Sequence, residues 1–145
     1  MGSDPVRVQV RGPLALLAVV PHLLGFHPDH SLVVVAMSGP YGRITAVFRY
    51  DLPDPPGPGL AAEIAGHTAA VLRRDKLTAV IVIGYGPGTL VTPVADVIRV
   101  ALPREGIRLQ DLLRVDEGRY WSYLCAGPAY CPADGTPVTG TTPPR

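Results

Sequence analysis

At 145 residues the chain has the size of one domain with a sizeable buried core. Hydrophobic residues make up 47% and charged residues 17%, too apolar for a disordered protein, while no apolar run reaches the roughly 18 residues of a membrane-spanning helix. The formal net charge of +1 gives no overall positive field to draw the molecule onto nucleic acid or anionic lipid, and leaves open only a local basic patch. Lys76 is the single lysine among thirteen basic residues; the arginines are scattered and read first as solvated surface.

In chain order, Met1 to Pro5 reads as a flexible start, and Val6-Arg7-Val8-Gln9-Val10 alternates as a short strand with one wet face. Gly12-Pro13 opens a helix over Pro13 to Val20, which Pro21 should kink or restart and Gly25 should stop. Arg7 and Arg11 ahead of an apolar stretch suggest a signal peptide, but no small-residue cleavage site follows. A polar turn then leads to a buried strand, Ser31 to Met37. Ser38 to Gly42 joins it to Arg43 to Tyr50 as an antiparallel hairpin, with Ile44, Ala46 and Phe48 on one face and Thr45, Val47 and Arg49 on the other. Asp51 to Gly59 is a proline- and glycine-rich connection. Leu60 to Asp75 is the most amphipathic helix, with Leu60, Ile64, Thr68, Val71 and Leu72 near helical spacing.

Leu77 to Leu102 is the stretch around which the rest is organised. Leu77 to Ile83 is an uncharged, β-branched run suited to a strand covered on both faces. Gly84-Tyr85-Gly86-Pro87-Gly88-Thr89 follows as a turn, and Thr92-Pro93 reads as an N-cap and first-turn proline. Beyond the helix, Ile107 to Val115 reads as a strand, with an added helical turn at Leu109 to Leu113 as the alternative. Asp116-Glu117-Gly118 reads as a tight turn and Arg119 to Leu124 as a return strand. Five or six strands and three helices give a single α/β layered domain over residues 6–138, with a mixed sheet and helices on both faces, followed by a loose tail over 139–145. Two cysteines make no disulfide scaffold, which fits a reducing cytoplasm.

Pro21-His22-Leu23-Leu24-Gly25-Phe26-His27-Pro28, running into Ser31 to Val35, resembles the opening signature of an actinobacterial family, domain of unknown function 4192. Gly118-Arg119-Tyr120-Trp121-Ser122-Tyr123-Leu124-Cys125, with Cys131-Pro132 and Gly135 to Val138, resembles its second signature in the same order. The family often has adjacent cysteines where Tyr130 precedes Cys131 here, a departure that weakens a metal role for the pair. The resemblance implies an actinobacterial cytoplasmic protein and carries over no activity, cofactor or catalytic residue.

Four groups bear chemistry. Gly84, Gly86 and Gly88 with Thr89 and Thr92 can form an anion nest at a helix amino terminus, with the two threonine hydroxyls touching the ligand; the plainer reading is a tight strand-to-helix turn. His27-Pro28-Asp29-His30 can supply a general base with an orienting carboxylate, or a zinc site completed by Cys125 and Cys131; the plainer reading is a turn in which Asp29 caps backbone amides. Cys125 and Cys131 can close a small loop, but nothing nearby supplies a base, and free thiols are the simpler account. Arg119 to Tyr123 can stack a base or receive a peptide, though such a strand more often covers a core with its tryptophan.

These features predict a non-catalytic binding or scaffold domain for a protein partner or small anion, held at the mouth formed by Gly84 to Thr89 and the His27 loop. The alternative is an enzyme acting on a phosphorylated or nucleotide-like substrate through His27 or Asp29, with zinc as its cofactor if it has one. A third reading is a homo-oligomer paired through an edge hairpin.

Overall fold

The computed structural model describes residues 12–38, 43–124 and 134–138. The expected strand at Val6 to Val10, the turn residues 39–42, both cysteines and the tail from Thr139 lie outside them. Among the described residues no helix is long and apolar enough to cross a membrane.

Helix α1 (Pro13–Leu24) buries Leu16, Leu17 and Val20. It continues through Pro21 to Leu24, past the expected break. A proline there gives up one amide bond near the end of the helix, and its own carbonyl still accepts the Gly25 N–H at 2.8 Å. Gly25, at φ 87°, supplies the left-handed stop.

Strand β1 (Ser31–Ser38) pairs antiparallel with β2 (Arg43–Asp51). Ala36 faces Ala46 but Met37 faces Ile44, so Thr45 is an extra residue in a bulge. The bulge corrects the expected alternation. Ala46 and Phe48 pack into one core, whereas Ile44 turns to the opposite face with Val47.

Helix α2 (Leu60–Arg74) buries Ile64, Ala65, Thr68, Ala69 and Leu72. The Leu77 amide then bonds the Leu72 carbonyl at 2.8 Å, so the next strand, β3 (Ala79–Tyr85), begins and ends two residues later than the apolar run suggests. Helix α3 (Gly88–Arg104) starts a full turn before Thr92, with extended Pro87 at its N-cap. The early start brings Leu90 and Val91, each 1% exposed, into the core. Burial of each such side chain contributes about 1.5–3 kcal/mol, enough to offset the one amide bond that Pro93 removes.

Strand β4 (Arg108–Asp116) is a strand throughout, which excludes the helical turn at Leu109. Glu117 (φ 51°) and Gly118 (φ 78°) make the two-residue turn into β5 (Arg119–Ser122), and β6 (Thr136–Pro137) caps that edge. Positive φ at both central residues is what a type I′ hairpin turn requires.

The six strands form one mixed sheet in the order β2-β1-β3-β4-β5-β6, and only β3 and β4 run parallel. Leu32, Val34, Val80, Val82 and Leu112 meet α2 and α3 on one face; Val33, Val35, Ile83 and Leu113 meet α1 on the other. The chain is thus a single α/β domain with helices on both faces of the sheet.

Candidate functional site

Register places Asp51, Ser31, Tyr85, Val115, Tyr120 and Thr136 in one row across the sheet. The carboxyl ends of β3 and β4, the start of β1 and the amino terminus of α3 therefore share one end of the molecule. The glycine loop and the His27 to His30 loop lie against each other there: a Cβ built on Gly86 falls 4.0 Å from the His30 Cα.

The glycines of the loop do different work. Gly84 lies inside β3, between Leu32 and Arg114 on the flanking strands, where a Cβ would stand 2.3 Å from Val91 Cγ1. Its bareness lets α3 descend onto the sheet. Gly86, at φ 147°, donates its amide to the Val115 carbonyl at 2.9 Å and accepts Arg114 Nη1 at 3.2 Å. Gly88 opens α3, and the amides of Gly88 and Thr89 make no hydrogen bond among the described residues. Leu90 and Val91 already donate to the Pro87 carbonyl, each at 3.0 Å. Thr89 is exposed, and the Thr92 hydroxyl is 2.6 Å from Tyr123 Oη.

Arg114, from β4, joins this end of α3 and was not singled out by the sequence. A Cβ on Gly88 would meet its guanidinium carbon at 3.7 Å and Thr92 Oγ1 at 3.7 Å. The guanidinium stacks 3.9 Å from the Trp121 ring centroid and lies 3.7 Å from Asp116 Oδ2, with the side chain 15% exposed. A cation at a helix amino terminus opposes the helix dipole. Here the Gly86 carbonyl, the Trp121 face and Asp116 hold it against that field. Trp121 is itself fixed from below by Gly135, whose Cβ, if present, would sit 2.7 Å from its Cε2. The sequence offered Arg114 only as the second of two arginines in a strand that also carries Gln110, Asp111 and Asp116, and its proximity to Gly88 depends on the β3–α3–β4 crossover.

The His27 loop is locally tied. Asp29 Oδ1 accepts the His30 amide at 3.0 Å and lies 3.2 Å from His30 Nδ1, and Ser31 Oγ donates to the Asp29 carbonyl at 2.7 Å. His30 holds φ 46°, a left-handed conformation uncommon outside glycine. His27 is exposed. Among the described residues no three histidine, aspartate, glutamate or cysteine side chains form a group able to hold a metal; Cys125 and Cys131 lie outside that set.

On the α1 face of the same row, the Tyr85 hydroxyl is buried with no hydrogen-bond partner among the described residues. Burial raises its pKa far above the ordinary tyrosine value and keeps it neutral.

A family model described as Domain of unknown function (DUF4192) matches residues 13–144. No curated protein matches the chain.

Proposed function

The chain belongs to the DUF4192 family, whose description assigns no activity, and we propose from the site alone that it is a cytoplasmic binding domain for a small anionic ligand held at the amino terminus of α3. One observation carries this reading: the amides of Gly88 and Thr89 make no hydrogen bond among the described residues, and a Cβ built on Gly88 would stand 3.7 Å from the Arg114 guanidinium carbon. An anion there satisfies both amides, meets the positive end of the helix dipole and relieves the opposition between that dipole and Arg114. Arginine suits a phosphate or carboxylate because its planar fork presents paired donors. Gly84 and Gly86 act as the frame, since one seats α3 on the sheet and the other fixes Arg114 through its carbonyl.

The test is a thermal-shift series with inorganic phosphate, sugar phosphates and nucleotides against chloride at matched ionic strength. A ligand at about a hundred times its dissociation constant stabilises the fold by about 2.7 kcal/mol. The shift should appear for at least one phosphate compound and vanish in Arg114→Met. If no compound raises the midpoint of the wild-type protein, or if Arg114→Met responds equally, the mouth holds no anion.

A further inference from the structure

The opposite end of the molecule has a different electrostatic character. The start of β2 faces the end of β1 (Arg43 with Ser38), the end of β1 faces the start of β3 (Met37 with Ala79), and the start of β3 faces the start of β4 (Ala79 with Arg108). Helices α2 and α3 both end there, tied together by Arg73 Nη1 to Glu105 Oε1 at 2.9 Å, and the Arg108 amide donates to the Thr78 carbonyl at 2.6 Å. Arginines far apart in sequence are thereby collected at one pole. Arg43, Arg73, Arg74, Lys76, Arg104 and Arg108 stand against Asp75 and Glu105, an excess of four positive charges in a chain whose total is +1.

All eight residues are exposed. Arg73 pairs with Glu105, and Arg74 approaches Asp75 at 3.5 Å. The side chains of Arg43, Lys76, Arg104 and Arg108 make no hydrogen bond or ion pair among the described residues. Helix dipoles account for part of the cluster, because cations in the last turn of α2 and α3 complement the negative helix ends. They do not account for Arg43 and Arg108 at strand starts or Lys76 in a turn. Two helix ends contribute about half a negative charge each, which leaves the pole strongly positive.

We propose that this pole is a docking surface for the phosphate backbone of duplex nucleic acid. Five of its six cations are arginines, whose forks match phosphate oxygens. Arg43 and Arg108 sit on strands three spacings apart, about 14 Å at the usual strand separation, a span that covers several phosphates of a duplex. Among the described residues no aromatic ring stacks on any of the six cations, which favours contact with the backbone of paired strands, independent of sequence. At the mouth end Asp29, Asp51, Asp54, Asp116 and Glu117 outnumber Arg49, Arg114 and Arg119. That polarity turns the basic pole toward a polyanion.

Fluorescence anisotropy of a labelled mixed-sequence duplex, titrated with the full chain over a salt series, tests the proposal. With four unpaired cations contributing, the logarithm of the association constant should fall against that of salt with a slope of about −3 to −4, a loss on the order of a hundredfold between 50 and 200 mM. Lys76→Glu with Arg108→Glu should reduce the slope by about two. Arg49→Gln at the other end should leave it unchanged, with circular dichroism confirming that each variant is folded. A flat salt response, full binding by the double variant, or tighter binding to phosphatidylserine vesicles or polyglutamate than to the duplex would overturn the proposal.

Discussion

The Tyr85 hydroxyl is buried without a hydrogen-bond partner among the described residues, although the residue is only 8% exposed. An unsatisfied buried hydroxyl costs about 1–3 kcal/mol, and its replacement by an apolar group of the same shape is neutral or stabilising. Burial also raises the pKa of Tyr85 above the ordinary value of about 10. Below that pH the residue is neutral in both folded and unfolded chains and adds no pH dependence. Above it the unfolded chain releases the proton while the folded chain keeps it, so stability falls as pH rises through about 10. Tyr50 adds to this decline, because burial raises its pKa more than its hydrogen bond to Thr68 lowers it. Tyr85→Phe should therefore match or exceed the wild-type urea midpoint at neutral pH and show a shallower loss above pH 10. A clearly lower midpoint at neutral pH would mean that the hydroxyl has a partner the described residues do not supply.

The seat of α3 on β3 is the element on which the candidate site depends. Gly84→Ala places a methyl group 2.3 Å from Val91 Cγ1 and should cost on the order of 1–3 kcal/mol by forcing the helix off the sheet. Val91→Ala should recover part of that loss, so a double-mutant cycle of urea midpoints must give a non-zero coupling; additive losses would place the strain elsewhere. Strands β1 and β3 were legible in the sequence because Val33-Val34-Val35 and Val80-Ile81-Val82-Ile83 are uncharged β-branched runs that fit only a sheet covered on both faces. The amphipathic spacing of α2 was equally plain. The start of α3 was misplaced because Pro93 imitates a first-turn proline, whereas the burial of Leu90 and Val91 outweighs its missing amide. Ile44 was put on the wrong face because a bulge at Thr45 leaves no mark in an alternating pattern. For the site, the glycine loop was visible as a composition, but Arg114 was not. Its approach to Gly88 arises from a parallel pairing across a helical crossover.

At the scale of the whole molecule, the two layers that the described residues build beside the sheet are unequal. Four buried apolar residues of α2 and six of α3 share one core, and the two helices also pack on each other. On the other face α1 inserts only Leu16, Leu17 and Val20. It carries no aspartate, glutamate, lysine or arginine and has Pro21 in its interior, so neither an ion pair between such side chains nor a complete hydrogen-bond ladder reinforces it. Local opening free energies follow such differences in buried contact. Native-state hydrogen exchange should therefore find α1 amides exchanging through a local opening well below the global unfolding free energy, while those of β1, β3 and the buried faces of α2 and α3 exchange only with the whole domain. Detachment of α1 would uncover the row of Val33, Val35 and Ile83 without disturbing the Gly88 amides or Arg114, which lie on the other face. Saturating phosphate should then slow exchange in α3 and at the ends of β3 and β4 and leave α1 nearly unchanged. Protection of α1 equal to that of α3, in the absence of ligand, would show that the α1 layer is held as firmly as the core opposite it.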